Sequence, residues 1–381
     1  MKFLYLISSR YPTEKAYGVT IGNTLQSFRR YGHISEILIW GEVEPDVYGS
    51  KIVSIARRPL RLPLFLYDTL FPKISKMSFT ANQIIYGFYF LKSSYRAVPG
   101  IVIWTREPLL LIPHALLCRN ARYLIELHHP ASKFSQKVIN FLSKRNRVEI
   151  IVLNNKSQSY HSGQFKNASV SIIPMGVPNS FFLTENKHSS DPLIVGYLGK
   201  GVSSGQDNEL LEVIHAAKKL DSTFGFQFKF IGLESSYKEK MKSLASQLEI
   251  NPSTITFVDH VDHTDIPFEL GTIDIGLLPY GESAYNSERF PIKVLEYAAA
   301  GLPIIATGTL AHRELLDEEF TRFYSKNNSD DLADAIIDMG NRVKQSKQMS
   351  EAARQFASKF TYDERVRKLL AIIEPASKYI N

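Results

Sequence analysis

Short apolar runs alternate along the chain with longer stretches in which apolar residues recur every three or four positions. In the first half the strand-like runs fall at 3–7, 36–40, 101–104, 123–127, 149–153 and 171–173. Helix-like stretches lie between them, at 20–31, 109–118, 133–145 and 156–164. Short apolar runs bounded by polar turns mark buried parallel strands, and their alternation with helices predicts βαβ units. Pro174-Met175-Gly176-Val177-Pro178 then punctuates the chain, and with the polar stretch 184–191 it reads as an interdomain linker. The alternation restarts with strands at 193–198, 226–231, 254–258, 274–278 and 303–306, and helices at 209–220, 237–248 and 291–300. Three helical segments follow, at 330–342, 349–360 and 362–373. The pattern predicts two successive open α/β sheets, whose ligands sit beyond the carboxyl ends of the strands.

Composition agrees with two domains. At 381 residues the chain exceeds one ordinary core, and 44% hydrophobic with 22% charged residues describes a globular protein. Met1-Lys2-Phe3-Leu4-Tyr5-Leu6-Ile7 reads as a buried first strand rather than a signal peptide, because Arg10-Tyr11-Pro12 follows without a small-residue cleavage site. No apolar run approaches the roughly 18–20 residues that cross a bilayer. The single cysteine, Cys118, permits no intrachain disulfide, so the cytosol is the expected compartment. The net charge of +7 divides unevenly: residues 1–180 carry 23 Lys/Arg against 9 Asp/Glu, and residues 181–381 carry 22 against 29. A basic half attracts anionic surfaces or phosphorylated substrates; a solvated basic face without a partner is the plainer alternative.

Several familiar motifs are missing. The first strand runs into Ser8-Ser9-Arg10-Tyr11-Pro12 with no GxGxxG, which argues against NAD or FAD. Gly196-Tyr197-Leu198-Gly199-Lys200-Gly201 is glycine-rich but lacks the P-loop spacing. His260 and His263 share a loop without further ligands, so no zinc site is expected.

The segment Glu288-Arg289-Phe290-Pro291-Ile292-Lys293-Val294-Leu295-Glu296 is the most informative. Pro291 suits a first helical position and Gly301-Leu302-Pro303 stops the helix. Its first turn presents backbone N–H groups at Ile292 and Lys293 beside a cationic side chain, an arrangement suited to a diphosphate. Glu296, inside an otherwise apolar helix, needs a polar partner, and paired sugar hydroxyls would serve. On spacing alone, an exposed Glu296 and an incidental Glu288 remain an equal reading.

This segment resembles the E-x7-E signature of the family-4 glycosyltransferases, retaining enzymes of the GT-B fold. The flanking chain agrees: Ile255-Thr256-Phe257-Val258-Asp259-His260-Val261, Asp274-Ile275-Gly276-Leu277-Leu278-Pro279-Tyr280, and Glu296-Tyr297-Ala298-Ala299-Ala300-Gly301-Leu302-Pro303-Ile304-Ile305-Ala306-Thr307. The resemblance is strong over about residues 192–310 and weaker elsewhere. It implies two Rossmann-like α/β domains facing each other across a cleft. Residues 1–178, completed by the C-terminal helix 362–381, would bind the acceptor, and 188–361 the nucleotide sugar. Glu296 would hold the donor ribose and Glu288 the transferred sugar. Phe290, Pro291, Ile292 and Lys293 would line the donor, and His260 and Val261 would lie near the base. His128, favoured over His129, matches a histidine near the reacting sugar; a histidine used only in packing is the alternative. Tyr17-Gly18-Val19 resembles a loop after the first strand that approaches acceptor or phosphate, though a plain turn glycine accounts for Gly18 equally well. The family usually places an Arg and a Lys six residues apart on the diphosphate. This chain has Lys200 and Gln206 there, so one cation is missing from the pattern; Lys293 or Arg289 would substitute from the opposite helix start, with Lys293 the better placed.

The implied reaction replaces the nucleoside diphosphate with an acceptor hydroxyl on the same face of the sugar, without a metal or other cofactor. A nucleotide-sugar epimerase of the same fold and a non-catalytic sugar-nucleotide-binding subunit are the alternatives; a phosphorylase would need a longer chain. Arg57, Arg58 and Arg61 among leucines, with the aromatic run 86–90, suit docking on an anionic membrane carrying a lipid-linked acceptor, unless the apolar residues are core. No nucleic-acid motif is present.

Overall fold

In the computed structural model, residues 1–8, 11, 16–39, 51–54, 83–88, 90–91, 101–184, 192–203, 206–207, 210–221, 225–280, 292–345 and 348–373 are described. The chain divides into two compact units, Met1–Met175 with Tyr362–Asn381, and Gly176–Thr361. The crossover at Met175 falls inside the Pro-Gly-Val-Pro punctuation, so residues 179–183 already belong to the second unit.

The first unit holds a seven-stranded parallel sheet in the order β3-β2-β1-β4-β5-β6-β7. Its strands are β1 (Lys2–Ile7), β2 (Ile34–Ile39), β3 (Lys51–Ser54), β4 (Ile101–Thr105), β5 (Arg122–Glu126), β6 (Arg147–Val152) and β7 (Ser169–Ile172). Strand β1 is central, which explains its unbroken apolar run. Phe3, Tyr5 and Ile7 face one cluster, while Leu4 and Leu6 face the other. Helix α1 (Ala16–Arg30) and the last helix, α12 (Tyr362–Ile373), cover the first face together. Helices α2 (Ile112–Leu117) and α3 (Lys133–Ser143) lie over the second, and α4 (Asn155–Ser162) follows β6. Ser132 and Asn154 cap α3 and α4 by accepting from the N–H groups of Ser135 and Ser157.

Helix α1 starts earlier than the sequence predicts, which corrects the reading of Tyr17 and Gly18 as loop. Tyr17, Ile21, Leu25 and Phe28 form one helical stripe on the same cluster, so packing extends the helix back through its first turn. Strand β3 is also absent from the sequence reading, because Lys51-Ile52-Val53-Ser54 offers only two apolar residues.

The second unit holds a six-stranded parallel sheet in the order β12-β11-β8-β13-β14-β15. These strands are β8 (Leu193–Leu198), β11 (Phe226–Ile231), β12 (Ile255–Val258), β13 (Ile275–Leu278), β14 (Ile304–Thr307) and β15 (Thr321–Tyr324). A short antiparallel ribbon, β9 (Val202–Ser203) and β10 (Gln206–Asp207), follows β8. The helices are α5 (Leu211–Leu220), α6 (Ser235–Gln247), α7 (Ile266–Leu270), α8 (Ile292–Ala299), α9 (Leu310–Leu315), α10 (Ser329–Gln345) and α11 (Gln348–Ser358). Gly301, at φ +77°, ends α8. Arg354 of α11 then donates to the carbonyls of Ala299 and Ala300, at 3.2 and 3.0 Å, a cation at the negative end of the helix dipole. Among the described residues no helix is long and apolar enough to cross a membrane.

Each sheet reverses its winding once, between β1 and β4 in the first unit and between β8 and β13 in the second. Such switch points open a crevice beyond the carboxyl ends of the strands, where open α/β sheets bind ligands.

Candidate functional site

In the second unit the switch point is flanked by the turn Gly199-Lys200-Gly201 after β8 and by Tyr280 after β13. Lys293, in the first turn of α8, reaches this point. Its Nζ donates to Tyr280 Oη at 2.9 Å and lies 5.4 and 5.5 Å from the ring centroids of Tyr197 and Tyr280. A Cβ built on Gly199, which sits at φ +140°, would come within 2.2 Å of that Nζ. The backbone conformation favours glycine at 199, and the absence of a side chain there leaves room for the end of Lys293 to pack against it. Two aromatic faces and a phenol hold the cation in place, at the amino end of a helix whose first N–H groups have no intrahelical acceptor. This arrangement can receive a diphosphate.

One turn further along α8, Glu296 is buried, at 5% exposure, which removes the reading of an exposed surface acid. Its Oε1 lies 3.2 Å from Nε2 of His263, whose ring also packs against Phe181 at 5.5 Å. The loop after β12 thus meets α8 through His263, a residue the sequence reading passed over in favour of His260, which is exposed, and Val261, which packs on the core. Lys200 is exposed in the same turn as Gly199. Only the backbone of Gln206 is described, in β10. Glu288, Phe290 and Pro291 lie outside the described residues, and Ile292 opens α8 as described.

The first unit carries its polar side chains at the same end of its sheet. Glu126, the last residue of β5, is 1% exposed. Its Oε1 accepts from Arg106 Nη2 at 2.8 Å, Arg365 Nη2 at 2.7 Å and His128 Nε2 at 2.7 Å. Burial pushes the Glu126 carboxyl pKa up, but the two guanidiniums and His128 outweigh it and hold the group well below the usual carboxylate range. An ionised carboxylate only accepts, so His128 Nε2 carries the proton. The imidazole itself is pushed down to about 4, by burial first and by the positive charge of Arg106 next. The ring is therefore neutral near pH 7, with its lone pair on Nδ1. His129 is exposed. Nearby, the N–H and hydroxyl of Ser8, after β1, donate to Glu107, after β4, and Gln83 Nε2 donates to the same carboxylate at 2.9 Å. Tyr17 and Gly18 enter only as first-turn residues of α1. Arg57, Arg58 and Arg61 lie outside the described residues, Phe90 is core, and Phe88 is half-exposed.

Residues 184–356, which carry the Lys293–Glu296 arrangement, match the family described as Glycosyl transferases group 1. The match lies within the second unit, and the two α/β units share the fold of solved glycosyltransferase structures, the GT-B architecture. Over 115 residues, 30% of the chain, it is 27% identical to the putative teichuronic acid biosynthesis glycosyltransferase TuaH of Bacillus subtilis, and the match spans 26% of that relative's length. It is 22% identical over 293 residues to an uncharacterized glycosyltransferase of Methanocaldococcus jannaschii, covering 76% of both chains. Among solved structures, Anabaena HepE in complex with UDP and glucose superposes with a TM-score of 0.63 over 97% of this chain and 99% of that one, at 14% identity.

Proposed function

We propose that the chain is a retaining glycosyltransferase that moves a hexosyl or related sugar from a uridine-diphosphate donor to a hydroxyl of a cell-surface polysaccharide precursor. The observation that carries this reading is the caged Lys293 ammonium against Gly199, with the buried Glu296 one turn along the same helix. The E-x7-E resemblance supports retention, the UDP-bound HepE structure supports the base, and the name of TuaH supports the class of acceptor.

In this mechanism Glu296 takes the ribose hydroxyls, and Lys293 with the first N–H groups of α8 takes the diphosphate. Lys200 adds a second cation in place of the family pair, and Gln206, His260 and Val261 line the nucleotide. Glu288 holds the sugar, and Phe290 and Pro291 lead into the helix. A neutral His128 accepts a hydrogen bond from a sugar hydroxyl through Nδ1. Negative charge gathers on the leaving diphosphate as the anomeric bond breaks, and the preplaced cations stabilise it there. A donor phosphate oxygen takes the acceptor's proton, so no protein carboxylate need form a covalent bond. No metal or other cofactor enters this scheme. Tyr17 and Gly18 lie on the acceptor side. The acceptor is lipid-linked, which places the protein in the cytoplasm at the inner face of a membrane.

Transfer of radiolabelled sugar from UDP-sugars to membrane extract tests the reading, after a thermal-shift comparison of UDP, GDP and ADP. Stabilisation by UDP together with transfer is expected. UDP binding without transfer would assign the chain as a non-catalytic subunit, and donor interconversion without acceptor would make it an epimerase.

A further inference from the structure

At the end of the first sheet opposite to its candidate site, the turns leading into β5 and β6 border a shallow, open hollow of about 780 Å³. Its wall carries Arg119, Arg122, Lys144, Arg145 and Arg147. The floor is pinned. Asn120 N–H donates to Arg145 O, Arg147 N–H donates to Ala121 O, and the buried Asn146 side chain bridges Ala121, Cys118 and Leu142. Two of the five cations are committed to the fold: Arg122 and Arg147 donate to the last carbonyls of α12, Ile373 and Ile372. Arg119, Lys144 and Arg145 are exposed and have no acidic partner among the described residues.

Apolar side chains border these cations. Leu116 and Leu117, in the last turn of α2, are 55% and 58% exposed, and Phe141 of α3 is 37% exposed beneath the Arg145 guanidinium. The turn after α2 is tied to the end of α3 by Asn146, so leucines and cations share one edge of the molecule. Cations with no acidic partner among the described residues, beside exposed leucine and phenylalanine, match a lipid surface, whose phosphates lie just above its acyl chains. A soluble anion would leave the apolar side chains without a use.

We propose that the basic hollow with Leu116, Leu117 and Phe141 docks the protein on an anionic phospholipid membrane. This adds a membrane contact to the reading of a membrane-borne acceptor and rests on it for its purpose: the hollow lies at the sheet end away from Glu126 and His128, so docking there anchors the protein and leaves that end open to the acceptor's glycan. The two fail separately, because vesicle binding needs no donor and transfer to a soluble acceptor needs no vesicle.

Sedimentation of the full chain with phosphatidylcholine vesicles, with and without phosphatidylglycerol, is the test. Binding only to the anionic vesicles is expected. Removing each cation should weaken it about fivefold, so Arg119→Ser/Lys144→Ser/Arg145→Ser together should weaken it by about a hundredfold. Leu116→Ser/Leu117→Ser should weaken it as well, and Lys240→Ser/Lys242→Ser on α6 should leave it unchanged. The melting temperature of each variant reports the fold, and transfer to a soluble acceptor should persist in all of them. Wild-type protein that ignores anionic vesicles at low salt overturns the proposal, as does a triple variant that still binds them. So does equal binding of soluble pyrophosphate or heparin that is insensitive to the leucine changes, which would assign the hollow to a soluble anion.

Discussion

Replacing Arg365 by methionine removes a guanidinium that is 2% exposed and serves three acceptors. Nη2 donates to Glu126 at 2.7 Å, and Nη1 donates to the carbonyls of Ile173, at 3.0 Å, and Pro174. Breaking a buried ion pair from one side costs about 3–5 kcal/mol, because the remaining charge stays buried without its counter-ion. Glu126 keeps Arg106 and His128, which draws the pair contribution toward the lower end; the two orphaned carbonyls add about 1 kcal/mol each. A net loss of about 3–5 kcal/mol follows, and at about 2–4 °C per kcal/mol the melting temperature should fall by about 6–20 °C. Both tryptophans, Trp40 and Trp104, lie in the first unit, so tryptophan fluorescence during heating follows the unit that contains the lesion. The same variant should flatten the acid limb of stability. A carboxyl held low in the folded state stabilises above its unfolded value and loses that contribution as pH falls through the folded one. A melting shift below about 2 °C, with an unchanged acid limb, would refute the claim that Arg365 holds Glu126 ionised.

Lys293→Met should lower kcat/KM by about a hundredfold and weaken UDP binding in calorimetry, with the melting temperature nearly unchanged; normal turnover would remove Lys293 from the diphosphate. Glu296→Ala should weaken UDP about tenfold or more, and equal affinity would detach it from the ribose. His128 binds its proton near pH 4 in the folded state but at about 6.5 when unfolded, so stability should fall as pH drops through that window. His128→Asn should lose this acid sensitivity, and titration of the imidazole by NMR near its ordinary value would contradict the burial argument.

Strands 193–198 and 226–231 and helix 362–373 are legible in the sequence to the residue, because the first is an unbroken apolar run, the second alternates apolar with polar residues, and the helix carries one clean apolar stripe. Strands β3 and β15 and helices α7 and α9 are not, being four to six residues long and mixed in polarity. Lys293 and Glu296 could be singled out from their spacing on one helix. Their partners could not: Tyr280 and His263 come from the ends of other strands, and pattern along the chain carries no information about which loops converge. Glu126 is the extreme case, since its two arginines lie 20 and 239 residues away. A carboxylate closing an apolar strand signals that a partner exists, but does not name it.

The return of α12 to the first unit has a consequence for synthesis. Residues 1–175 leave the ribosome with one face of their sheet covered by α1 alone and Glu126 short of a counter-ion, and both wait for the segment from Tyr362. The unit made first is thus the last to be finished, while residues 176–361 have their own core complete beforehand. A premature stop shortly before Tyr362 would leave a sound second half tethered to an open, aggregation-prone first half, rather than a protein that merely lacks its tail.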